Sequence, residues 1–289
     1  VVSYSVTVRP EPPAISVIPA NSTVCQTESV LLTASLEAAA PVVIFSENFN
    51  GLTNNWVTTN LSTGGNIAAA AWTLRNSIYT YNSTYWNISF SSNDASRFYL
   101  SNSDAQGGPG SNRTRTYLES PSFSLVGYTT ASLSFWHYLR FIPGNRARVE
   151  FSLNNGTTWE LLQSYTASQG AASSFVNANV NMNSLVGNSN LKIRFYFDAT
   201  WDYGWAIDNV VISGNLALEV SWTPDTGLYF DAAATQPYIP GTPTGIVYAK
   251  PNVTTTYTGT ALGANGCFTS SSSTVTVLPL PEIGIMSAN

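Results

Sequence analysis

Charge is what this chain has least of. Only 9% of its 289 residues are Asp, Glu, Lys or Arg, against about 25% in ordinary soluble domains. The formal net charge is −5, so the chain as a whole carries no basic footprint for nucleic acid. Histidine is nearly absent: His137 stands alone, between Trp136 and Tyr138 in an alternating run. A hydrolytic triad needs a base beside a nucleophile and an orienting acid, and no serine here lies in a nucleophile-elbow context. His137 therefore reads as structural, and the chain as a non-enzyme. No apolar run is long enough to span a bilayer. Cysteine is limited to Cys25 and Cys267. An even count fits one disulfide in an oxidising compartment, and fits two buried thiols as well.

What is present is aromatic and β-forming. Aromatics reach 12% and hydrophobics 44%, which excludes disorder. Ser, Thr, Asn, Gly and Tyr take the place of charge. Alternating runs recur, as in Ala131–Trp136, Ala147–Ser152 and Lys192–Phe197, and no segment sustains a helical period. Asn154-Asn155-Gly156, Pro143-Gly144-Asn145 and Asn265-Gly266 mark turns. The expected class is all-β.

The two ends resemble each other. Val6-Thr7-Val8 leads into a proline-rich joint and a new strand, and so does Val275-Thr276-Val277. This reads as a module of an array, with residues 1–10 closing a preceding unit and 280–289 opening the next. Residues 11–41 are too short for a core. Joined to 215–279 they reach about a hundred residues, the size of an immunoglobulin-like sandwich. The expected map is nested: that outer sandwich, split by an inserted domain over 42–214. The insert holds Trp56, Trp72, Trp86, Trp136, Trp159, Trp201 and Trp205, leaving only Trp222 outside.

Particular residues sharpen this map. Thr23–Ala34 around Cys25, Val220–Leu228 around Trp222, Thr254–Thr258 and Asn265-Gly266-Cys267 resemble the immunoglobulin/PKD-like modules of surface proteins from gliding, Bacteroidetes-type bacteria. The resemblance implies a disulfide between Cys25 and Cys267 beside Trp222. Within the insert, Phe45–Gly51, Tyr117–Phe123, Leu133–Tyr138, Val149–Trp159, Lys192–Phe195 and Gly204–Val210 resemble MAM-like and cleaved-adhesin jelly rolls. Together these imply an Ig-like β-sandwich split by a jelly-roll sandwich. They also imply an extracellular setting in a cell-surface adhesin, including gliding-motility adhesins exported by the type IX route. The expected role is a stalk module with a projecting head, its partners being neighbouring Ig-like modules and surface glycans. The alternative is a carbohydrate-binding module of a secreted hydrolase.

Candidate sites follow. Glu47 opens the insert and Asp208 closes it, so their strands are expected to run side by side. Two carboxylates brought together call for a cation, and calcium takes oxygen ligands. Related jelly rolls carry calcium near such residues, which adds Asp104 to the expected set Glu47, Asp104 and Asp208. For sugars, aromatic loops matter: Trp201 and Tyr203, with Trp86 of Tyr85-Trp86-Asn87, are the expected ligand-binding residues. Glycoside hydrolysis needs two facing acids, and Glu119, Glu150, Glu160 and Asp198 cannot be paired from sequence.

Overall fold

The computed structural model describes residues 14–279, apart from 37–40, 52, 109, 111, 202, 217, 264 and 265. The expected flanking modules at 1–10 and 280–289 lie outside the described residues. Nearly all regular structure is strand. The chain divides into two compact units, one drawn from residues before Val42 and from Leu216 onward, the other from Val42–Asn215.

The inner unit is a jelly-roll sandwich. One antiparallel sheet has five strands in the order Glu160–Tyr165, Arg146–Ser152, Lys192–Ala199, Thr114–Glu119, Val57–Asn60. The facing sheet runs Val176–Asn181, Ser132–Arg140, Gly204–Gly214, Phe98–Asn102, Thr73–Arg75, with Val42–Glu47 also paired to Gly204–Gly214. Side chains alternate across each strand. In Thr114–Glu119 every second residue is buried, and the inward set of both sheets meets in one core. Trp56, Leu118, Phe135, Phe195, Phe197, Trp205 and Ile207 are among its members.

The six-stranded sheet is covered on its other face as well. There the hairpin Tyr79–Asn82/Asn87–Phe90 belongs to a second cluster that includes Trp86, Phe90, Phe98, Leu100, Tyr138, Phe175 and Ala206. Gly204–Asp208 is consequently buried at five successive residues. A strand covered on both faces loses its alternation.

The outer unit is the second sandwich. One sheet runs Ile15–Ile18, Val30–Leu36, Ile246–Ala249, Leu228–Tyr229, and the other Leu218–Thr223, Thr255–Gly263, Phe268–Leu278, Asn21–Cys25. Only the last pair is parallel among these neighbours, with Asn21 opposite Thr274 and Cys25 opposite Leu278. Trp222, Tyr257, Leu32 and Val247 are fully or almost fully buried between the sheets. The Trp222 indole donates to the Thr244 carbonyl at 2.8 Å, as a buried Trp N–H requires.

The expected disulfide is corrected by this register. Cys25 and Cys267 form no disulfide with each other, and Cys25 is exposed. Cys25 lies beside Leu278, the far end of the strand that begins just after Cys267. At about 3.3 Å per residue the two cysteines are separated by roughly 35 Å along that strand. A disulfide needs Cα atoms within about 7 Å.

Candidate functional site

The aromatic residues converge at one edge of the inner unit. The hairpin turn after Asn82 is tied by Ser83, whose hydroxyl accepts from the Trp86 N–H at 2.9 Å and donates to Asp104 Oδ2 at 2.7 Å. The Tyr81 hydroxyl donates to the same oxygen at 2.8 Å. Burial, with Asp104 as acceptor, pushes the Tyr81 phenol up to about 12. Asp104 sits on a short 3-10 turn, Asp104–Gln106. Its backbone N–H, like that of Ser103, donates to the Tyr203 carbonyl. Hairpin, turn and the Trp201–Tyr203 loop are thus fastened through one carboxylate.

Around it opens a pocket of about 160 Å³ lined by Tyr85, Asp104, Ile142, Trp201 and Tyr203. Tyr85 is exposed, and its ring meets Trp201 edge-on at 5.2 Å. The Arg140 guanidinium lies 3.7 Å over the Tyr203 ring. Trp201 has φ of +45°, uncommon for a bulky side chain, and such strain gathers at functional sites. Two of the expected aromatics, Trp201 and Tyr203, line the pocket. Trp86 does not. It is 2% exposed and packs beneath, 5.3 Å from Tyr203. Its place at the surface is taken by Tyr85. Both lie in the hairpin turn between Asn82 and Asn87, where no strand alternation marks in the sequence which of the two rings faces outward.

The expected metal residues are only partly brought together. The strands of Glu47 and Asp208 do pair, with Glu47 opposite Val210. Glu47, however, accepts from its own chain at the Phe49 N–H, 2.8 Å away. Asp104 stands apart. It lies beyond the Asn102–Gly204 pair, and Asp208 lies four residues past Gly204 in the opposite direction, so the two are roughly 20 Å apart. The carboxylate that faces Asp208 is Asp94, which the sequence reading missed.

Asp208 is fully buried. Its Oδ1 accepts from the Asn209 N–H at 2.7 Å, and Oδ2 has no hydrogen-bond partner among the described residues. Burial first, and then the Asp94 charge, push its carboxyl up to about 7. Burial acts to raise Asp94 too, but hydrogen bonds from Ser96, Asn209 and Ser92 outweigh it and hold that carboxyl below its usual range. Asn209 makes this possible by taking φ of +46° and donating to Asp94 at 2.9 Å. The orphaned buried Asp208 oxygen, the Asp94 carboxylate and the Asn93 amide oxygen are oxygen ligands of the kind calcium takes, though fewer than the roughly six to eight it needs. Among the described residues no three acidic, His or Cys side chains cluster.

His137 is 1% exposed, and its Nδ1 accepts from the Trp205 indole at 3.2 Å. Burial drops its imidazole to about 4. Of the acids weighed for glycoside hydrolysis, Glu119 and Glu150 lie on either side of Arg194 in register. Glu150 is paired with that arginine at 2.7 Å. Asp198 is held by Arg113 at 2.7 and 2.8 Å.

Residues 138–213 match the family Reelin subrepeat B. No curated protein matches the chain. Among solved structures, the chain is similar to the K1 cleaved adhesin domain of Lys-gingipain from Porphyromonas gingivalis W83, at 21% identity and a TM-score of 0.42, covering 60% of this chain and 99% of that one. The K3 cleaved adhesin domain of the same protein gives 18% identity and 0.36, covering 61% and 100%. The C-terminal family 22 carbohydrate binding module of Clostridium thermocellum Xyn10B gives 10% and 0.36, covering 60% and 94%.

Proposed function

We propose that this chain is an extracellular adhesion module whose inner jelly roll binds surface glycans through the Tyr85–Trp201–Tyr203 pocket. The observation that carries this reading is the exposed Tyr85–Trp201 ring pair set against Tyr203 and Asp104. Aromatic faces stack on sugar rings, and a few placed polar groups fix orientation. The 3-10 turn and hairpin hold these groups before any ligand arrives, which limits the ordering cost of binding. The finer setting rests on the resemblances of sequence. It is a MAM-like jelly roll within an Ig-like stalk module, in a gliding-motility adhesin of a Bacteroidetes-type bacterium exported by the type IX route. Calcium at Asp208 and Asp94 belongs to the same reading. It would supply the positive charge that the orphaned Asp208 oxygen lacks, and would fix the loop that carries Asn93 and Asp94.

The test is a glycan array followed by calorimetry on any hit, using the intact chain and Trp201→Ala and Tyr85→Ala variants. Each variant is expected to lose at least tenfold in affinity with an unchanged melting temperature. An array with no hit, or hits indifferent to both substitutions, would remove the pocket from the account. For calcium, a ligand bound only by the folded state stabilises it by RT ln(1 + [L]/Kd), about 2.7 kcal/mol at a hundredfold excess over Kd. Chelation is expected to lower the melting temperature, and Asp208→Asn to erase that response.

A further inference from the structure

The pocket beside Trp201 is electronegative on nearly every side. Among the described residues its lining is the rings of Tyr85, Trp201 and Tyr203, with Ile142 and Asp104. No Lys, Arg, Asn or Gln joins them. Aromatic faces present the negative part of the ring quadrupole, and Asp104 adds a carboxylate. That residue is 8% exposed and enters none of the ion pairs formed among the described residues. Arg140 does not line the pocket. Its guanidinium lies 3.7 Å over the Tyr203 ring, so one of these rings already holds a cation.

The two oxygens of Asp104 are unequal. Oδ2 accepts from the Tyr81 and Ser83 hydroxyls at 2.8 and 2.7 Å. Oδ1 has no hydrogen-bond partner among the described residues, and it is not one of the sealed polar atoms. It is an acceptor without a donor. Tyr85 and Trp201 stand at 90° to each other, two walls of a corner. The volume of about 160 Å³ is below the roughly 300–1,000 Å³ of pockets that enclose a whole ligand. It suits one substituted edge of a sugar.

We propose, building on the glycan reading of this pocket, that it selects an amino sugar whose amine is free and protonated. The ammonium would donate a charge-assisted hydrogen bond to Asp104 Oδ1 and lie against the Tyr85 and Trp201 rings. Sugar C–H groups would pack on the remaining aromatic surface. A hydroxyl at that position brings a hydrogen bond without charge. An N-acetyl group brings bulk without charge. A quaternary ammonium brings charge without a donor. The free amine alone among these uses the rings, the charge and the open oxygen together.

The experiment is calorimetry on the intact chain with the disaccharides of glucosamine, N-acetylglucosamine and glucose in the same linkage, and with choline, in mildly acidic buffer. The glucosamine disaccharide is expected to bind at least tenfold more tightly than the other three ligands, and Trp201→Ala to lose at least tenfold of that affinity. Asp104→Asn keeps an oxygen for Tyr81 and Ser83 and removes the charge. It is expected to bring glucosamine down to the affinity of the glucose disaccharide. If that variant melts early, the ligand series on the wild type and Trp201→Ala decides alone. Equal affinity for the three disaccharides, lost in Trp201→Ala, would overturn the amine preference and leave the glycan pocket standing. Glucosamine binding that survives Trp201→Ala, or a preference kept by folded Asp104→Asn, would also overturn it, as would choline binding as tightly as glucosamine. Absence of binding by all three disaccharides would overturn it too, and the glycan array then judges the pocket by itself.

Discussion

Asp208 and His137 occupy neighbouring rows of one strand pair, where Trp136 faces Asp208 and His137 faces Ile207. Burial acts on them with opposite signs. His137 titrates at about 4 when folded, below its ordinary 6.5. Its contribution is complete above pH 6.5 and is lost as pH falls toward 4. Asp208 titrates at about 7, above 3.8. Its contribution is complete below pH 3.8 and is lost as pH rises toward 7. At 1.36 kcal/mol per unit, each effect is on the order of 3–4 kcal/mol. In calcium-free buffer the wild-type melting temperature should therefore vary little between pH 4 and 6.5. Asp208→Asn should uncover a stability that drops on acidification, and His137→Gln one that drops as pH rises. Parallel profiles for the two variants would refute this opposition. A second residue-scale prediction concerns Gly204. A Cβ there would lie 2.8 Å from the Ser101 carbonyl and 3.2 Å from the Trp86 ring. Overpacking of this kind costs about 1–3 kcal/mol, so Gly204→Ala should show that loss in urea unfolding.

The hairpin Tyr79–Asn82/Asn87–Phe90 shows what the sequence can and cannot convey about an element. Its alternation is local and legible, and so are the strands Ala131–Trp136 and Lys192–Phe197. The fastening is not, because Asp104 reaches Tyr81 and Ser83 from more than twenty residues away. The same holds for Asp198, which Arg113 grips from 85 residues away in the chain. It holds for Asp94 too, whose approach to Asp208 depends on the left-handed turn at Asn209. The cysteines failed for a related reason: their order in the chain fitted a familiar framework, but only register reveals which end of the final strand each one occupies. Removing the fastening has a definite consequence. Asp104→Ala removes two half-buried hydrogen bonds to a carboxylate, at about 1.5–3 kcal/mol each at most. Hydrogen exchange across residues 79–90 should accelerate, while the strand Lys192–Ala199 keeps its protection. Uniform exchange across both would show that the hairpin is not separately held.

At the scale of the whole molecule, each unit has its own apolar core. Every member of the two inner clusters lies within Val42–Asn215, and the outer cluster draws on neither. Residues 42–215 expressed alone should therefore melt in one cooperative step. A broad transition with early loss of near-ultraviolet signal would argue that the core needs the outer unit. The nested arrangement was legible because neither outer piece could bury a core by itself. Among the described residues the outer unit also has one parallel pair, Asn21–Cys25 against Phe268–Leu278. Parallel strands drawn from opposite ends slide along each other, so the five register pairs from Asn21 to Cys25 resist tension together instead of opening one at a time. In a module tethered at both ends, load entering from the N-terminus would meet Ile15–Ile18 and its antiparallel pairing with Val30–Leu36 first, and would then cross this short parallel ladder in shear on its way to Leu278.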